Sequence, residues 1–368
     1  MTSEPVTIKL LDNVRKPEDF EAFRAALLTS NDTILRDFTS QHINASNGSL
    51  KPSIVSIKVN ESDTYKGQVN STNQRSGKGI CYYGNGDVYL GDWQSDNLHG
   101  PGVYIFANGE RFTGELRYGQ KNGHGKYTYI NGNVYEGNWE NDKKSGQGSY
   151  EYFSMKETYK GAFVAGQKHG KGEYTFSNGD RYVGAYDKNM RSGYGELLYA
   201  DGSFAKGEWR ANVLSGKAVQ FVKETEETYE GQWEKNEKCG YGVYRYNDGA
   251  VYEGEWRNNM RNGKGTYSYP NGDTYTGNWK NDMKFGNGTY NYATGGQYTG
   301  DWFDDVEHGF GKCQDAAGDL YNGEWSNGYM TGKGLMKYAN GDSYDGDWDN
   351  SKRHGDGVYV FASGDKYS

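Results

Sequence analysis

The sequence predicts an all-β fold: an elongated, single-layer antiparallel meander of about 13 β-hairpins, preceded by a short helical N-terminal segment. Three observations carry this. Glycine supplies 55 of 368 residues and proline only 5. Aromatic residues are abundant (34 Tyr, 14 Phe, 9 Trp), whereas aliphatic side chains are too few for a conventional three-layer core. A motif built on Tyr-x-Gly recurs at almost constant spacing. Scarce aliphatics alone would suggest disorder, but the aromatic content and a formal net charge of only −8 argue against it. Rings are instead expected to pack over bare backbone.

Residues 1–60 read as a helical and linker segment. In KPEDFEAFRAALL (16–28), Pro17 stands at a helix start, acidic residues fill the first turn, and Phe20, Phe23, Leu27 and Leu28 form an apolar stripe. Asn31 and Asp32 suit the cap of a second short helix through Ile34, Leu35 and Phe38. Residues 41–53 read as linker and IVSIKV (54–59) as a strand. The segment serves either as a cap on the exposed sheet edge or as a separate docking or targeting arm.

Residues 61–368 are the array, thirteen copies and the first strand of a fourteenth. Its anchors are Tyr65, Tyr89, Phe112, Tyr135, Tyr159, Tyr182, Ala205, Tyr229, Tyr252, Tyr275, Tyr298, Tyr321, Tyr344 and Tyr367, spaced by 23 or 24 residues. All nine tryptophans fall four residues after an anchor, and Gly-x-Gly follows at eleven, or twelve in the first copy. In VYEGEWR, a period of two places Tyr252, Gly254 and Trp256 on one face. Asn271-Gly272 before the next strand predicts a type I′ turn, and RNNMRN after Trp256 a longer polar loop. Ala205 replaces an anchor, Ala218 replaces a glycine, and 221–228 loses its turn, so pairing is expected to be weakest over Ala205–Thr228. The Asn-Gly turn is also missing at Met155–Thr158 and Ala293–Gln297.

The unit GDTYTGNWKNDMKFGNGTYNY resembles the MORN (membrane occupation and recognition nexus) repeat, and the resemblance covers residues 65–368. It implies a repeat-only scaffold, similar to protist cytoskeletal MORN proteins and to ciliary radial-spoke-head components. MORN segments of junctophilins and of plant phosphatidylinositol phosphate kinases imply an alternative, phosphoinositide binding. MORN repeats also precede lysine methyltransferase domains, but no residues here are left over for one.

Catalytic chemistry needs unlike groups converging in a pocket, and a repeat makes rows of like groups. His99, His169, His308 and His354 share one repeat position in copies that are not neighbours, so exposed loop histidines are expected rather than a metal site. Cys81 and Cys313 occupy a position that other copies give to Tyr, and Cys239 reads as a loop thiol. Gly-Lys-Gly never appears in a phosphate-loop frame, and no serine has a nucleophile-elbow setting. The expectation is therefore no enzyme, no catalytic or metal residue and no cofactor. The start lacks the pattern of a signal peptide, and three scattered cysteines fit a reducing compartment. A pI of about 5.4 argues against nucleic acid as a partner.

Three surfaces are candidates for binding. The aromatic face offers an open partner groove of Trp233, Tyr252, Trp256, Tyr275, Trp279, Tyr298, Trp302, Tyr321, Trp325, Tyr344 and Trp348. A basic column two residues before Gly-x-Gly offers Lys121, Lys144, Lys168, Arg191, Lys238, Arg261, Lys284 and Arg353 to anionic partners, or is simply a solvated edge. Val358, Tyr359, Val360, Phe361 and Tyr367 mark a strand edge expected to join a second copy. Together these predict a structural scaffold for cytoskeletal or axonemal proteins, in the cytoplasm, at a cilium, basal body or cell cortex. The alternative is a peripheral tether that contacts anionic lipid through the basic column.

Overall fold

The computed structural model describes residues 54–368, and every regular element in them is a β-strand. Twelve strands lie in a compact unit that ends at Asn189, and sixteen in a unit that begins at Met190. Within each unit every strand pairs antiparallel with the next in sequence, as Thr64–Val69 does with Arg75–Tyr82 and Val251–Arg257 with Met260–Ser268. Each unit is thus an all-β meander. The helices expected over 16–28 and 31–38, and the linker, lie outside the described residues. The strand expected at 54–59 is present as Ile54–Lys58 and pairs with Thr64–Val69, so the sheet starts before the expected boundary at residue 60.

The two kinds of turn are the reverse of the sequence reading. The connection after Trp256 is not a long loop: Arg257 pairs directly with Met260, and Asn258 and Asn259 have φ of 50° and 67°. Positive φ at both central residues defines a type I′ turn, which matches the twist of the flanking strands. At Asn271-Gly272 only the glycine has positive φ (90°). Gly272 N–H donates to Tyr269 C=O and Tyr269 N–H to Asp273 C=O, which makes a three-residue loop closed by a glycine bulge. Asn-Gly was therefore the right turn signal with the wrong turn type. Gly295 takes the same role at the site expected to have lost its turn, donating to Tyr292 C=O. At 153–156 and 223–226 the loop has four residues, with Lys156 and Glu226 at positive φ, and this extra residue accounts for two of the 24-residue intervals.

The two glycines of Gly-x-Gly do different work. The second pairs with the glycine of the anchor strand on each side, giving ladders such as Gly242–Gly254–Gly265–Gly277–Gly288. The Tyr252 ring lies over this ladder, and a Cβ added at Gly254 would come within 2.6 Å of the Tyr252 hydroxyl and of Lys264 C=O. The first glycine serves a bulge. Residues 262–264 face Glu255 alone, and Gly263 has φ of 97° there. The Tyr252 hydroxyl donates to the Glu255 carbonyl at this bulge (3.0 Å), and the same bond recurs from Tyr135 to Asn138 and from Tyr275 to Asn278. The ring thus covers one irregularity and satisfies the next.

Hairpins are fastened to one another at both turn edges. Asp273, just after Asn-Gly, accepts from the Tyr290 hydroxyl (2.6 Å) and from Ala293 N–H (2.8 Å) of the next hairpin. At the type I′ edge Asp282 accepts from Arg261 N–H (2.9 Å) while its own N–H donates to Arg261 C=O.

The expected weak point remains paired throughout, with Ala205 opposite Gln220 and Gly207 opposite Ala218. Where the anchor ring is missing, the Ala218 methyl is buried against the Gly207 backbone and Leu214 is 4% exposed. The added methyl of Ala218 and the apolar Leu214 thus stand where the anchor ring is lost.

Two predictions follow from the backbone. Gly254→Val and Gly277→Val should each lower the melting temperature more than Gly249→Val, because a Cβ at Gly249 meets nothing and only its φ of 90° is strained, at about 1–2 kcal/mol. Equal losses at all three would contradict the packing account. Ala211→Gly should stabilise by about 0.5–1 kcal/mol in urea titration, since Ala211 holds φ of 49° in a type I′ turn and glycine relieves the strain.

Candidate functional site

The aromatic face is not an open groove but the core. Of the rings offered as a groove, all but Trp325 are buried, from Tyr252 and Tyr275 at 0% exposure to Tyr344 at 7%. They interlock edge to face: Tyr252 contacts Trp256 at 5.2 Å and Trp279 at 5.4 Å, and Tyr275 contacts Trp279 at 5.1 Å and Trp302 at 5.2 Å. This alternation continues through Tyr298, Trp325, Tyr321, Trp348 and Tyr344. The indole N–H reaches back to the preceding copy's second glycine carbonyl, as from Trp279 to Gly265 (3.2 Å) and from Trp348 to Gly334 (3.0 Å), and Trp233 reaches the Ala218 carbonyl that stands in that place. A second rib of Tyr244, Tyr246, Tyr267, Tyr269 and Tyr290 runs beside the first. Twist and neighbouring rings therefore cover what a single layer would expose. Cys81, at a Tyr position, is buried opposite Tyr65, and burial pushes its thiol pKa up.

The basic column lies against the same core, with seven of the eight side chains half-buried and Arg353 exposed. These residues lie in strands, not at loop tips, and their cations sit over rings. Arg191 is 4.3 Å from the Trp209 centroid, Arg261 4.3 Å from Trp279, Lys284 4.3 Å from Trp302 and Lys238 4.3 Å from Tyr244. Lys144 and Lys168 stand 4.5 Å from Tyr150 and Tyr174, Lys121 5.3 Å from Trp139, and Arg353 5.3 Å from Tyr359. Burial holds Lys144, Lys168, Lys238 and Lys284 below the usual lysine pKa. Arg261 also hydrogen-bonds Asp282 at 3.1 Å. The column closes the open side of the ring stack, at about 0.5–2 kcal/mol per cation–π contact.

The opposite, outer face is the polar one. Glu253, Lys264 and Thr276 are exposed there, and three rings that sequence reading passed over project from it. Tyr194, Tyr241 and Phe310 are 62%, 54% and 65% exposed, and each is the middle residue of a Gly-x-Gly. Their common register was the available signal. At the C-terminal edge only Tyr359 and Val360 of Lys352–Val360 pair with Lys366–Tyr367, and Val358, Phe361 and Tyr367 are exposed. Among the described residues no group of His, Cys, Asp and Glu could hold a metal ion. His99 is not a free loop residue: it packs edge-on against Tyr118 at 5.7 Å.

Tyr252→Phe should cost about 1 kcal/mol by removing the hydroxyl bond to Glu255 C=O, and Phe112→Tyr should gain a similar amount by supplying that bond where a copy lacks it. Paired urea titrations check both. Stability should also fall steeply in alkali. Burial raises the phenol pKa of Tyr135, Tyr159, Tyr269 and Tyr321 from 10.0 to about 12. A raised folded-state pKa contributes stability that is complete below pH 10 and lost as the pH rises towards 12. The four lysines with lowered pKa act in the opposite sense but are outnumbered. Circular dichroism and tyrosinate absorbance should therefore change together between pH 10 and 12.

Twelve matches to the model of the MORN repeat tile residues 71–154, 159–204 and 229–366. The first gap, 155–158, overlaps the four-residue loop at 153–156, and the second, 205–228, is the copy that carries Ala205 and Ala218. A search of curated protein sequences returns no match. Similar solved structures include the TCP domain of SAS-4 (dCPAP) of Drosophila melanogaster in complex with a proline-rich motif of Ana2 (dSTIL) (13% identity, 48% of this chain and 83% of that one, TM-score 0.26). They also include the TCP10 domain of Danio rerio CPAP, E1021V mutant (14%, 65% and 94%, TM-score 0.22), and virginiamycin B lyase from Staphylococcus aureus (11%, 84% and 92%, TM-score 0.13). These likenesses are too distant to bear on function. The repeat matches, which account for most of the chain and fall on the hairpins described above, make it a member of the MORN repeat family.

Proposed function

We propose that this chain is a non-enzymatic scaffold that organises protein complexes of the cytoskeleton, in a radial-spoke-like role in a ciliary axoneme or at a basal body or cell cortex. MORN membership itself suggests a protein-interaction or membrane-associated scaffold. The observation that carries the protein-partner reading is the division of labour between the faces. One face is filled by the chain's own rings and cations, and the other presents Tyr194, Tyr241 and Phe310 to solvent. Strand spacing puts Tyr241 about 19 Å from Tyr194 and about 29 Å from Phe310, so separate contacts could be read along one unit. Aromatic residues exposed on a polar surface are favoured anchors for protein partners. The lipid-tether reading depended on free cations in the basic column. Seven of those eight cations are half-buried against rings, with Arg353 exposed, and this favours the protein-partner reading.

Tyr241→Ala with Phe310→Ala should leave urea stability within about 0.5 kcal/mol, because both side chains are exposed. Proximity labelling by the tagged chain in its native cell should then lose cytoskeletal partners. Full labelling by the double variant, or wild-type labelling without cytoskeletal proteins, would refute the proposal.

A further inference from the structure

One position on the ring face reverses the sign of its column. Elsewhere a cation covers the indole of the next copy, as Lys284 lies 4.3 Å from the Trp302 centroid and also over Tyr290 (5.1 Å) and Tyr275 (5.6 Å). One copy on, the same register gives these places to Glu307, Trp325, Cys313 and Tyr298. A carboxylate stands where a cation belongs, and a thiol where a ring does. Trp325 is half-buried, whereas the other eight indoles are at most 6% exposed. Loss of a cation does not by itself open an indole. Leu214 and Met330 hold the column before Trp233 and Trp348, and both of those rings stay buried. Burial and then the Glu307 charge push the Tyr298 phenol and the Cys313 thiol pKa up, so the carboxylate faces this slot. Among the described residues the Glu307 side chain makes no hydrogen bond or ion pair.

The chain shows twice what completes such a slot. Arg75 lies 4.2 Å from the Trp93 centroid with its Nε on Asp96 (3.0 Å), and Arg261 lies 4.3 Å from Trp279 with its Nε on Asp282 (3.1 Å). An indole beneath and a turn carboxylate at the edge together hold one guanidinium. At Trp325 the turn residue is Gly328, and a Cβ there would lie 3.5 Å from Glu307 Oε2. Glu307 thus brings its carboxylate towards the place from which Asp96 and Asp282 act. We infer that this slot takes the guanidinium of an arginine from a basic segment of a partner protein, stacked on Trp325 with Glu307 as its counter-charge. A guanidinium is planar, stacks on an indole and bonds a carboxylate through two N–H groups, which an ammonium cannot do. Residues 301–324 hold seven acidic residues and one lysine, and the whole chain is at −8, a field that favours a basic partner over a second copy. The slot lies on the ring face and is separate from Tyr194, Tyr241 and Phe310.

The full chain, isotope-labelled at tryptophan, should give nine indole N–H signals by NMR, and Trp325→Phe assigns the one needed. A blocked Gly-Arg-Gly peptide at millimolar concentration should shift the Trp325 signal and leave the other eight in place. Its citrulline counterpart should shift none, and its lysine counterpart should bind several-fold more weakly. Glu307→Gln should weaken arginine-peptide binding about tenfold. Glu307→Lys should abolish it and raise the melting temperature, because the chain then covers Trp325 with its own cation. No Trp325 shift, an equal shift from the citrulline or lysine peptide, or unchanged binding by Glu307→Lys would overturn the inference. Light scattering that shows the free chain pairing with a second copy, and Glu307→Lys abolishing that pairing, would also overturn it.

Discussion

A tyrosine ring lying flat over a pair of glycines is the contact on which the rest of this structure depends. A single-layer sheet has no opposing sheet to fill its inner face, so the rings must lie down on their own backbone, and only glycine leaves room. The Tyr252 ring spans Gly254 on its own strand and Gly265 on the next, and its hydroxyl ends at the Glu255 carbonyl. That carbonyl belongs to the bulge that Gly263 makes possible. Ring, glycine ladder and bulge are consequently one device, repeated from hairpin to hairpin, and replacing any part disturbs the others.

The same device explains where the charges go. Ring faces that a conventional core would cover with another layer are covered here by lysine and arginine, whose stems pack and whose cations meet the π-systems. A cation column was visible in the sequence, but its meaning depended on whether rings stood beneath it. With inner-face charge and aromatics committed to stability, the outer face is the one we propose for recognition. There, nothing in the repeat constrains the middle residue of Gly-x-Gly, and Tyr194, Tyr241 and Phe310 are found at that position.

Repeat arrays of this kind are stabilised by what each unit makes with its neighbours. Asp273 and Asp282 make such contacts at opposite edges of the sheet. They also explain how one copy can lose its anchor and stay paired. Around Ala205 the edge bonds persist, as from Leu214 N–H to Asn236 (2.7 Å) and from Lys223 N–H to Ser203 (2.9 Å), and Trp209 still reaches Gly195 C=O.

Periodicity alone determined the strands, the copy number, the face on which Tyr252, Gly254 and Trp256 lie, and membership of the MORN family, because each depends on local spacing. Turn type did not follow from the dipeptide. Asn271-Gly272 and Asn258-Asn259 both suit tight turns, and the pairing of Arg257 with Met260 decided which became type I′. Burial was also beyond the sequence. An aromatic column reads equally well as groove or core until neighbouring copies are set about 4.8 Å apart and the indoles close over the phenols. Lys238 and Arg261 were half-buried for the same reason, since they cover rings of a neighbouring strand, Trp256 and Trp279, as well as of their own. Only the tertiary arrangement, by stacking the copies side by side, decided which face would be filled by its own rings and which left exposed.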